Sequence, residues 1–313
     1  MTRPVRPIRL IALDLDGTVV GPDREIRPRV RGAVGEAMAR GVEVVIVTGR
    51  MYRSALRFAT LLGLRAPLVC YQGAYVREIP RNGSSGDVLR HTPLPLATAR
   101  EAILWARARG LHPHVNLDDR LLMQADDPAA QDYERALGVG AEFVPDLLAA
   151  LRRAPTKVLA VGTSPLPEQL LPEARATFQG RAEVTVSHPE YLEWTARGVH
   201  KGRGLAWLAR RVGVPLGQVM AIGDQYNDLE LLARVGHGVA MGDAPPAVQS
   251  AARYVTASFE ADGAALAIEA LALGRGSLEG RSNGRLPVDG ELVARAPDRK
   301  SPDRWSPVRR SPD

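Results

Sequence analysis

The sequence predicts an α/β protein: a doubly wound parallel sheet interrupted by a second, smaller α/β domain. Short apolar runs alternate with helix-like stretches at residues 8–81 and again at 198–274, as is typical of a parallel sheet with helical crossovers. Between these stretches, hairpin-like runs mix with helical ones, which indicates a separate domain inserted into the first. We therefore expect a core in two parts, residues 1–81 and 198–274, and an insert at 82–197.

The core is predicted to begin with a buried strand at residues 11–13, where an apolar run preceded by Leu10 ends at a polar turn. Pro28 suits the first turn of a helix and Gly41 its end, so a helix is predicted at 30–40. The other predicted core strands lie at 42–47, 67–71, 219–222, 237–241 and 254–255. The other predicted core helices run from the TGR segment at 48–50 to residue 62, and over 201–211, 229–235, 246–252 and 263–273.

The insert is predicted to mix hairpins and helices. A hairpin is expected over 75–95, because Asn82-Gly83 is a strong turn signal. Asp118-Asp119 marks a second turn, between strands at 111–116 and 120–124. Further strands are predicted at 157–161, 182–187 and 191–194, and helices at 96–108, 147–153 and 173–178.

The last part of the chain, residues 275–313, is predicted to be a disordered basic tail. Its apolar periodicity stops, and Gly, Ser, Pro, Arg and Asp dominate. Such a composition cannot bury enough apolar surface to offset the entropy of ordering. The tail holds nine basic and six acidic residues, and so half of the formal net charge of +6.

Composition excludes several classes of function. The single cysteine, Cys70, allows neither an internal disulfide nor a cysteine metal cluster. No apolar run has the length of a membrane span, and the first one is cut at once by Asp14, which argues against a signal peptide. The arginines are scattered and not interleaved with aromatic residues, so nucleic-acid binding is not expected. We expect a soluble cytoplasmic protein without a membrane partner.

Two acids, Asp14 and Asp16, follow the first predicted strand directly. Ligand sites in open α/β sheets lie outside the carboxyl ends of the strands, so these acids stand at the usual place for chemistry. A plain alternative is that Asp14 caps the strand end and that Asp16-Gly17 forms a surface turn.

The segment DLDGT at residues 14–18 resembles the first motif of the haloacid dehalogenase superfamily of phosphotransferases. Three later segments resemble the other motifs in the expected order: VTGR at 47–50, Lys201, and GDQYND at 223–228. The whole pattern is similar to that of the Cof-like phosphatase subfamily. The resemblance implies a Rossmann-like core of this superfamily, and an insert that forms a cap closing over the active site.

A phosphatase mechanism accounts for these residue types. A phosphate monoester is negatively charged, so attack by a carboxylate needs nearby positive charge and a protonated leaving oxygen. Splitting the reaction through an aspartyl-phosphate makes each step easier. Asp14 is the predicted nucleophile and Asp16 the predicted general acid and base. Lys201 is predicted to neutralise charge on the transferring phosphoryl group.

The predicted cofactor is Mg²⁺, a hard cation that takes few protein ligands and shares the substrate phosphate. Asp14 and Asp224 are its predicted side-chain ligands, and the resemblance adds the backbone carbonyl of Asp16. Asp228 is predicted to orient a metal-bound water or to hold Lys201.

The predicted phosphate-binding residues are Thr48 and Gly49, at the start of the expected helix, with Lys201 and Asn227. Three of the predicted site residues have a plain alternative: Thr48 and Asp224 as helix caps, and Lys201 as a solvated helix residue. The family often has Asn-Gly where this chain has Gln72-Gly73, and that longer amide bears on specificity if it contacts substrate.

The predicted function is Mg²⁺-dependent hydrolysis of small phosphorylated metabolites, among them sugar phosphates, flavin mononucleotide, pyridoxal phosphate and nucleotides. A phosphomutase or other phosphotransferase on the same scaffold is one alternative. A non-catalytic protein that binds a phospho-ligand or acts through the basic tail is another. His112 and His114, with Asp118 and Asp119 near, are expected to be residues of the cap face rather than a zinc site, which would need a third close ligand. No pattern in the sequence predicts an oligomeric state.

Overall fold

A computed structural model describes residues 7–81, 84–125 and 140–278 of the 313-residue chain. In chain order its strands are β1 (Leu10–Leu13), β2 (Glu43–Ile46), β3 (Leu68–Cys70), β4 (Tyr75–Arg77), β5 (Val88–His91), β6 (His112–Leu117), β7 (Arg120–Gln124), β8 (Ala141–Val144), β9 (Lys157–Val161), β10 (Ala182–His188), β11 (Tyr191–Ala196), β12 (Val219–Gly223), β13 (His237–Ala240) and β14 (Tyr254–Val255). Its helices are α1 (Pro28–Ala39), α2 (Tyr52–Leu61), α3 (Leu96–Arg107), α4 (Leu147–Ala150), α5 (Leu166–Thr177), α6 (Lys201–Arg211), α7 (Leu229–Arg234), α8 (Pro246–Ala251) and α9 (Gly263–Leu271).

The core is a parallel five-stranded sheet in the order β14-β13-β12-β1-β2. Every pairing in it is parallel, and a bridge between Val47 and Val69 continues it towards β3. From β1 the chain adds β2 on one side. It later returns with β12 on the other side of β1, and β13 and β14 follow outwards from β12. This reversal of strand order makes a topological switch point between β1 and β12, which is where such sheets bind ligands. The predicted α/β fold class is confirmed.

Burial explains why these segments form a sheet covered by helices. All residues of β1 and β12 are buried, as expected for central parallel strands. Helix α1 begins with Pro28 and buries Val30, Ala33, Val34 and Ala37, which recur at helical spacing along one face. The helices within the described residues lack the combination of length and apolar character needed to cross a membrane.

A second sheet has six strands in the order β10-β11-β9-β6-β7-β8. Its pairings are antiparallel except for β7 with β8. One face packs with α3 and α5 around three aromatic rings, those of Trp105, Phe178 and Trp194, which meet edge to face. These strands lie inside the predicted insert of 82–197, whose bounds stay a prediction.

The other face of this second sheet turns towards the core. Leu121, Met123 and Leu159 belong to the same apolar cluster as the core strands, whereas Leu122 and Val158 belong to the insert's own cluster. Because neighbouring residues of a strand point to opposite faces, this division identifies the face that meets the core.

Several predicted elements differ from the structure. The helix predicted at 173–178 already begins at Leu166, since Pro167 lies in its first turn, where a missing N–H is not needed. The helix predicted at 147–153 ends at Ala150, and β8 was not predicted. The helix expected from the TGR segment begins only at Tyr52. The turn predicted at Asn82-Gly83, and the tail prediction from residue 279 onwards, lie outside the described residues.

Candidate active site

Asp14 and Asp224 stand side by side at the switch point of the core sheet. Asp14 follows β1 and Asp224 follows β12, and these strands pair in parallel with Leu13 opposite Ile222. The backbone N–H of Asp14 donates to the carbonyl of Ile222 at 3.0 Å. The predicted meeting of these two acids at one sheet edge is therefore confirmed by the structure.

Lys201 is the centre of the site. Its Nζ lies 2.8 Å from Asp14 Oδ1 and 2.8 Å from Asp228 Oδ1, and its side chain is only 1% exposed. A lysine this deeply buried needs such partners, so the alternative of a solvated helix residue is wrong. Asp228 holds Lys201, which is one of the two roles predicted for Asp228.

The chain around Lys201 is fixed by close backbone contacts. Lys201 begins α6, and His200 Nδ1 accepts from the N–H of Arg203 to cap this helix. A Cβ on Gly73, which has a φ of +98°, would lie 2.6 Å from the carbonyl oxygen of His200. Only glycine allows that approach, which sets the position of Lys201 in the core.

Asp228 also shapes the loop that carries Asp224. Its Oδ2 accepts from the backbone N–H groups of Asp224 and Gln225, both at 3.1 Å. Thr18 Oγ1 donates to Asp224 Oδ1 at 3.1 Å, and Gln225 Nε2 donates to Asp224 Oδ2 at 3.3 Å. Asp224 is thus held in place by hydrogen bonds from both strand ends.

Buried negative charge dominates the electrostatics of the site. The pKa of Asp14 is raised to about 7, mainly by burial and secondly by the charge of Asp228. Burial, and next the charge of Asp14, raise the pKa of Asp224 well above its usual value. Burial lowers the pKa of Lys201, but Asp14 and Asp228 outweigh it, so the net shift is upwards. Three carboxylates therefore share one ammonium group.

This cluster fits a hard cation. Asp14, Asp224 and Asp228 each offer an oxygen within 4.8 Å of the others, and all three are buried. Oxygen donors at this spacing are those that Mg²⁺ takes. Asp228 accepts from Lys201 and from two backbone N–H groups, whereas Asp14 and Asp224 directly follow the two paired strands β1 and β12. Asp14 and Asp224 stay the predicted ligands. The identity of the metal and the role of the Asp16 carbonyl stay predictions.

The side chain of Asp16 contacts Arg50, a partner that sequence reasoning missed. Its side chain is 50% exposed and accepts from Arg50 Nε at 2.8 Å and from Arg50 Nη2 at 2.5 Å. The guanidinium also lies over the ring of Phe58. The predicted site does not include Arg50, although its place in the second motif is a signal. The acid–base role of Asp16 stays a prediction.

Thr48 and Gly49 lie near the site, but they do not open a helix. Thr48 Oγ1 accepts from the N–H of Arg50 at 3.1 Å, three residues before the helix cap at Met51. A Cβ on Gly49 would lie 2.4 Å from Gln72 Nε2, so this loop passes close to the amide. Their roles in phosphate binding stay predictions.

The N-terminus of α2 is occupied by an acid from the insert. Asp119, in the turn between β6 and β7, accepts from the N–H groups of Tyr52 at 2.8 Å and Arg53 at 3.0 Å. It also accepts from Tyr71 Oη at 2.7 Å. Asp119 therefore caps a core helix and joins insert to core.

A chain of polar contacts links the insert to Asn227. Asn227 Nδ2 donates to Gln72 Oε1 at 3.2 Å, and Gln72 Nε2 donates to Glu193 Oε2 at 3.3 Å. Glu193 Oε1 pairs with Lys157 Nζ at 2.9 Å. Sequence reasoning anticipated a role for the amide of Gln72 but missed Lys157 and Glu193. The scarcity of lysine, with only three in 313 residues, was a signal for Lys157.

The two histidines of β6 do not belong to the acidic cluster. His114 is fully buried, and burial lowers its pKa to about 3, so it is neutral near pH 7. Across the parts of the chain that the structure describes, the group suited to a metal is the acidic one at Asp14.

Comparisons with known proteins agree with this geometry. A profile of the haloacid dehalogenase-like hydrolases matches residues 11–268. An HMP-PP phosphatase of Serratia proteamaculans is 32% identical over 246 residues, which cover 77% of this chain and 86% of the relative. A 5-amino-6-(5-phospho-D-ribitylamino)uracil phosphatase of Bacillus subtilis is 30% identical over 264 residues, which cover 82% of this chain and 94% of the relative.

A solved structure gives the same result for the fold. The crystal structure of a haloacid dehalogenase-like hydrolase from Bacteroides thetaiotaomicron superposes with a TM-score of 0.73 at 28% identity, covering 84% of this chain and 99% of that one. With the four motifs in order, the acidic cluster around Lys201 and a family match over most of its length, this chain belongs to the haloacid dehalogenase-like hydrolases.

Proposed function

We propose that this chain is a phosphatase that hydrolyses small phosphorylated metabolites through a covalent phosphate on Asp14, with Mg²⁺ as its cofactor. The observation that carries the proposal is the buried Lys201, held between Asp14 and Asp228 beside Asp224. A fixed positive charge beside a carboxylate supports attack on a phosphate group by that carboxylate. The two relatives named above are phosphatases of small phosphorylated compounds, which supports the same class of substrate.

The first step forms a bond from a carboxylate oxygen of Asp14 to phosphorus and breaks the bond from phosphorus to the alcohol oxygen. Asp16, once it has separated from Arg50 and taken up a proton from solvent, gives that proton to the departing alkoxide, so a neutral alcohol leaves. In the second step water attacks the phosphorus, passes a proton to Asp16, and releases inorganic phosphate and the free carboxylate of Asp14. Asp16 starts from its pairing with Arg50, which therefore governs its orientation.

Charge balance explains the other residues. Lys201 Nζ, 2.8 Å from Asp14, offsets the negative charge that gathers on the phosphoryl oxygens. Thr48, Gly49 and Asn227 would bind the remaining phosphoryl oxygens. Bound Mg²⁺, held by Asp14 and Asp224, would supply positive charge that keeps Asp14 ionised and offsets the charge of the phosphate.

Both acids of the site are buried: Asp14 is 4% exposed and Asp224 8%, so little of either carboxylate faces solvent. We infer that the insert acts as the cap that the family resemblance implies, and that it separates from the core to admit substrate.

The test measures phosphate release from a panel of phosphorylated sugars, cofactors and nucleotides, with Mg²⁺ or with a chelator. Asp14→Asn is compared with Asp87→Asn, which alters an exposed aspartate in the β4–β5 connection. We expect release that needs Mg²⁺ and is lost by at least about 1000-fold in Asp14→Asn alone. No release by the intact chain from any member of the panel would refute the proposal.

The covalent intermediate is tested separately by adding an alcohol acceptor such as glycerol. If every substrate passes through the same phosphate on Asp14, the ratio of phosphate to glycerol phosphate is independent of the leaving group. A ratio that changes with each substrate would contradict the intermediate. Transfer to an acceptor without any free phosphate would instead identify a phosphotransferase.

A further inference from the structure

We propose that Lys157 and Glu193 of the insert select the leaving group of the substrate, favouring a neutral group with neighbouring hydroxyls. This inference rests on the proposed phosphatase function and assigns specificity residues to it. The two side chains form an ion pair of 2.9 Å between Lys157 Nζ and Glu193 Oε1, and they are 6% and 3% exposed.

The pair lies on the face of the insert sheet that turns towards the core. Glu193 on β11 is paired with Leu159 on β9, and Lys157 is two residues before Leu159 on the same strand. Residues two apart share a face of the strand, so all three point the same way. Leu159 belongs to the apolar cluster of the core, which fixes that direction.

Hydrogen bonds connect the pair to the predicted phosphate-binding residues. Lys157 Nζ donates to the carbonyl of Gly49 at 3.3 Å. Gln72 Nε2 donates to Glu193 Oε2 at 3.3 Å, and Gln72 Oε1 accepts from Asn227 at 3.2 Å. A phosphate bound by Gly49 and Asn227 therefore has the ion pair as its neighbour on the side of the insert.

Folding alone does not explain a charged pair at this place. A buried ion pair contributes about as much to stability as well-packed apolar residues of the same size, and often less. The same face already packs Leu121 and Met123 against the core. The bonds from the pair to the core, at 3.3 Å, are also longer than usual, so hydroxyls of a ligand are able to replace them.

The chemistry of the pair indicates what it binds. An ammonium group only donates and a carboxylate only accepts, whereas a hydroxyl does both. Two neighbouring hydroxyls match Lys157 and Glu193 together, and Ser187 Oγ already donates to Glu193 Oε1 at 2.7 Å in this way. The acceptor Oδ1 of Asn227, shielded from solvent, has no hydrogen-bond partner among the described residues and offers a further contact.

Leaving groups without hydroxyls are disfavoured by the same argument. An apolar leaving group would break the hydrogen bonds from the pair to the core and would form none in their place. Lys157 and Glu193 would then be buried with fewer partners, which is costly for charged groups. A charged leaving group is attracted by one member of the pair and repelled by the other, so the pair gives it no net advantage. A polyhydroxylated, uncharged alcohol is thus the leaving group that the pair fits.

The test compares glucose 6-phosphate with cyclohexylmethyl phosphate, which also leaves as a primary alcohol on a six-membered ring but carries no hydroxyl. The measured quantity is the ratio of the two kcat/KM values. We expect the intact chain to prefer glucose 6-phosphate by at least about tenfold, as expected for a site built to bind hydroxyls. Glu193→Gln and Lys157→Met should each reduce this ratio at least about fivefold.

The matched control is Glu173→Gln, which removes an acid of the insert that pairs with Arg109 at the surface. Its ratio should equal that of the intact chain. Because a single change leaves one buried charge unpaired, the double variant of Lys157→Met with Glu193→Gln is measured too, with thermal unfolding to show that it folds.

Each outcome has one meaning. A ratio near one in the intact chain, or equal losses on both substrates in the folded double variant, would overturn the assignment of Lys157 and Glu193. No phosphate release from either substrate, nor from any other in the panel above, would instead refute the proposed function on which the inference rests.

Discussion

Removing the proposed nucleophile should make the protein more stable in the absence of metal. In Asp14→Asn, two buried carboxylates instead of three share the ammonium group of Lys201. Lys201 keeps its partner Asp228 at 2.8 Å, so no buried charge loses its only counter-ion. The repulsion between Asp14 and its acidic neighbours disappears, while an amide of nearly the same size fills the space.

The size of the gain follows from the pKa of Asp14, which is raised from 3.8 to about 7. In the folded state the carboxyl group of Asp14 thus keeps its proton up to about pH 7, whereas in the unfolded chain it loses the proton near pH 3.8. Stability falls as the pH rises between these values, and the full cost remains above them. At about 1.4 kcal/mol per unit, the cost relieved in Asp14→Asn is about 2 kcal/mol at pH 5 and about 4 kcal/mol at pH 8.

The assay is urea denaturation of both proteins in a chelator at pH 5 and pH 8, followed by circular dichroism. The gap in unfolding free energy between Asp14→Asn and the intact chain should widen with pH, and Asp87→Asn should show no such gap. Adding Mg²⁺ should narrow the gap, because the cation stabilises the intact chain in proportion to its binding. A variant that is less stable at pH 8, or a gap that does not change with pH, would refute the reasoning.

Three further changes test other parts of the site. Arg50→Ala frees the carboxylate of Asp16, and we expect kcat to fall about tenfold with little change in KM, measured in steady-state assays; a change confined to KM would contradict this role. Asp119→Ala removes the cap on α2, and the unfolding free energy should fall by about 2 kcal/mol in urea titrations; an unchanged midpoint would be the contrary result. Gly17→Ala would place a Cβ 2.3 Å from Asp224 Oδ2 at a φ of +76°, so Mg²⁺ binding by calorimetry should weaken at least about tenfold, and unaltered affinity would count against Asp224 as a ligand.

The core of the site could be predicted from sequence because its signals are local. Asp14 and Asp224 each follow an apolar strand, and parallel strands bring their carboxyl ends to one edge. Lys201 was identifiable from the resemblance and from its rarity in an arginine-rich chain. These features depend on the residues next to each motif, which the sequence displays directly.

The parts that could not be predicted depend on contacts between distant segments. Asp119 caps α2 although it lies 67 residues beyond Tyr52, so the true start of the helix was hidden and Thr48 was wrongly expected to open it. Lys157 and Glu193 are 36 residues apart and meet only because β9 and β11 pair. No short-range pattern records such meetings, since pairing partners follow from the assembled sheet.

The apolar contact of Leu121, Met123 and Leu159 with the core bears on how fast the enzyme can work. If the insert separates from the core in each cycle, as proposed above, this surface becomes exposed to water, at a cost of several kcal/mol for three such side chains. Reopening would then be a slow event in every cycle and would set an upper limit on turnover. We expect kcat to fall with solvent viscosity, and an alanine at Leu121 to accelerate release.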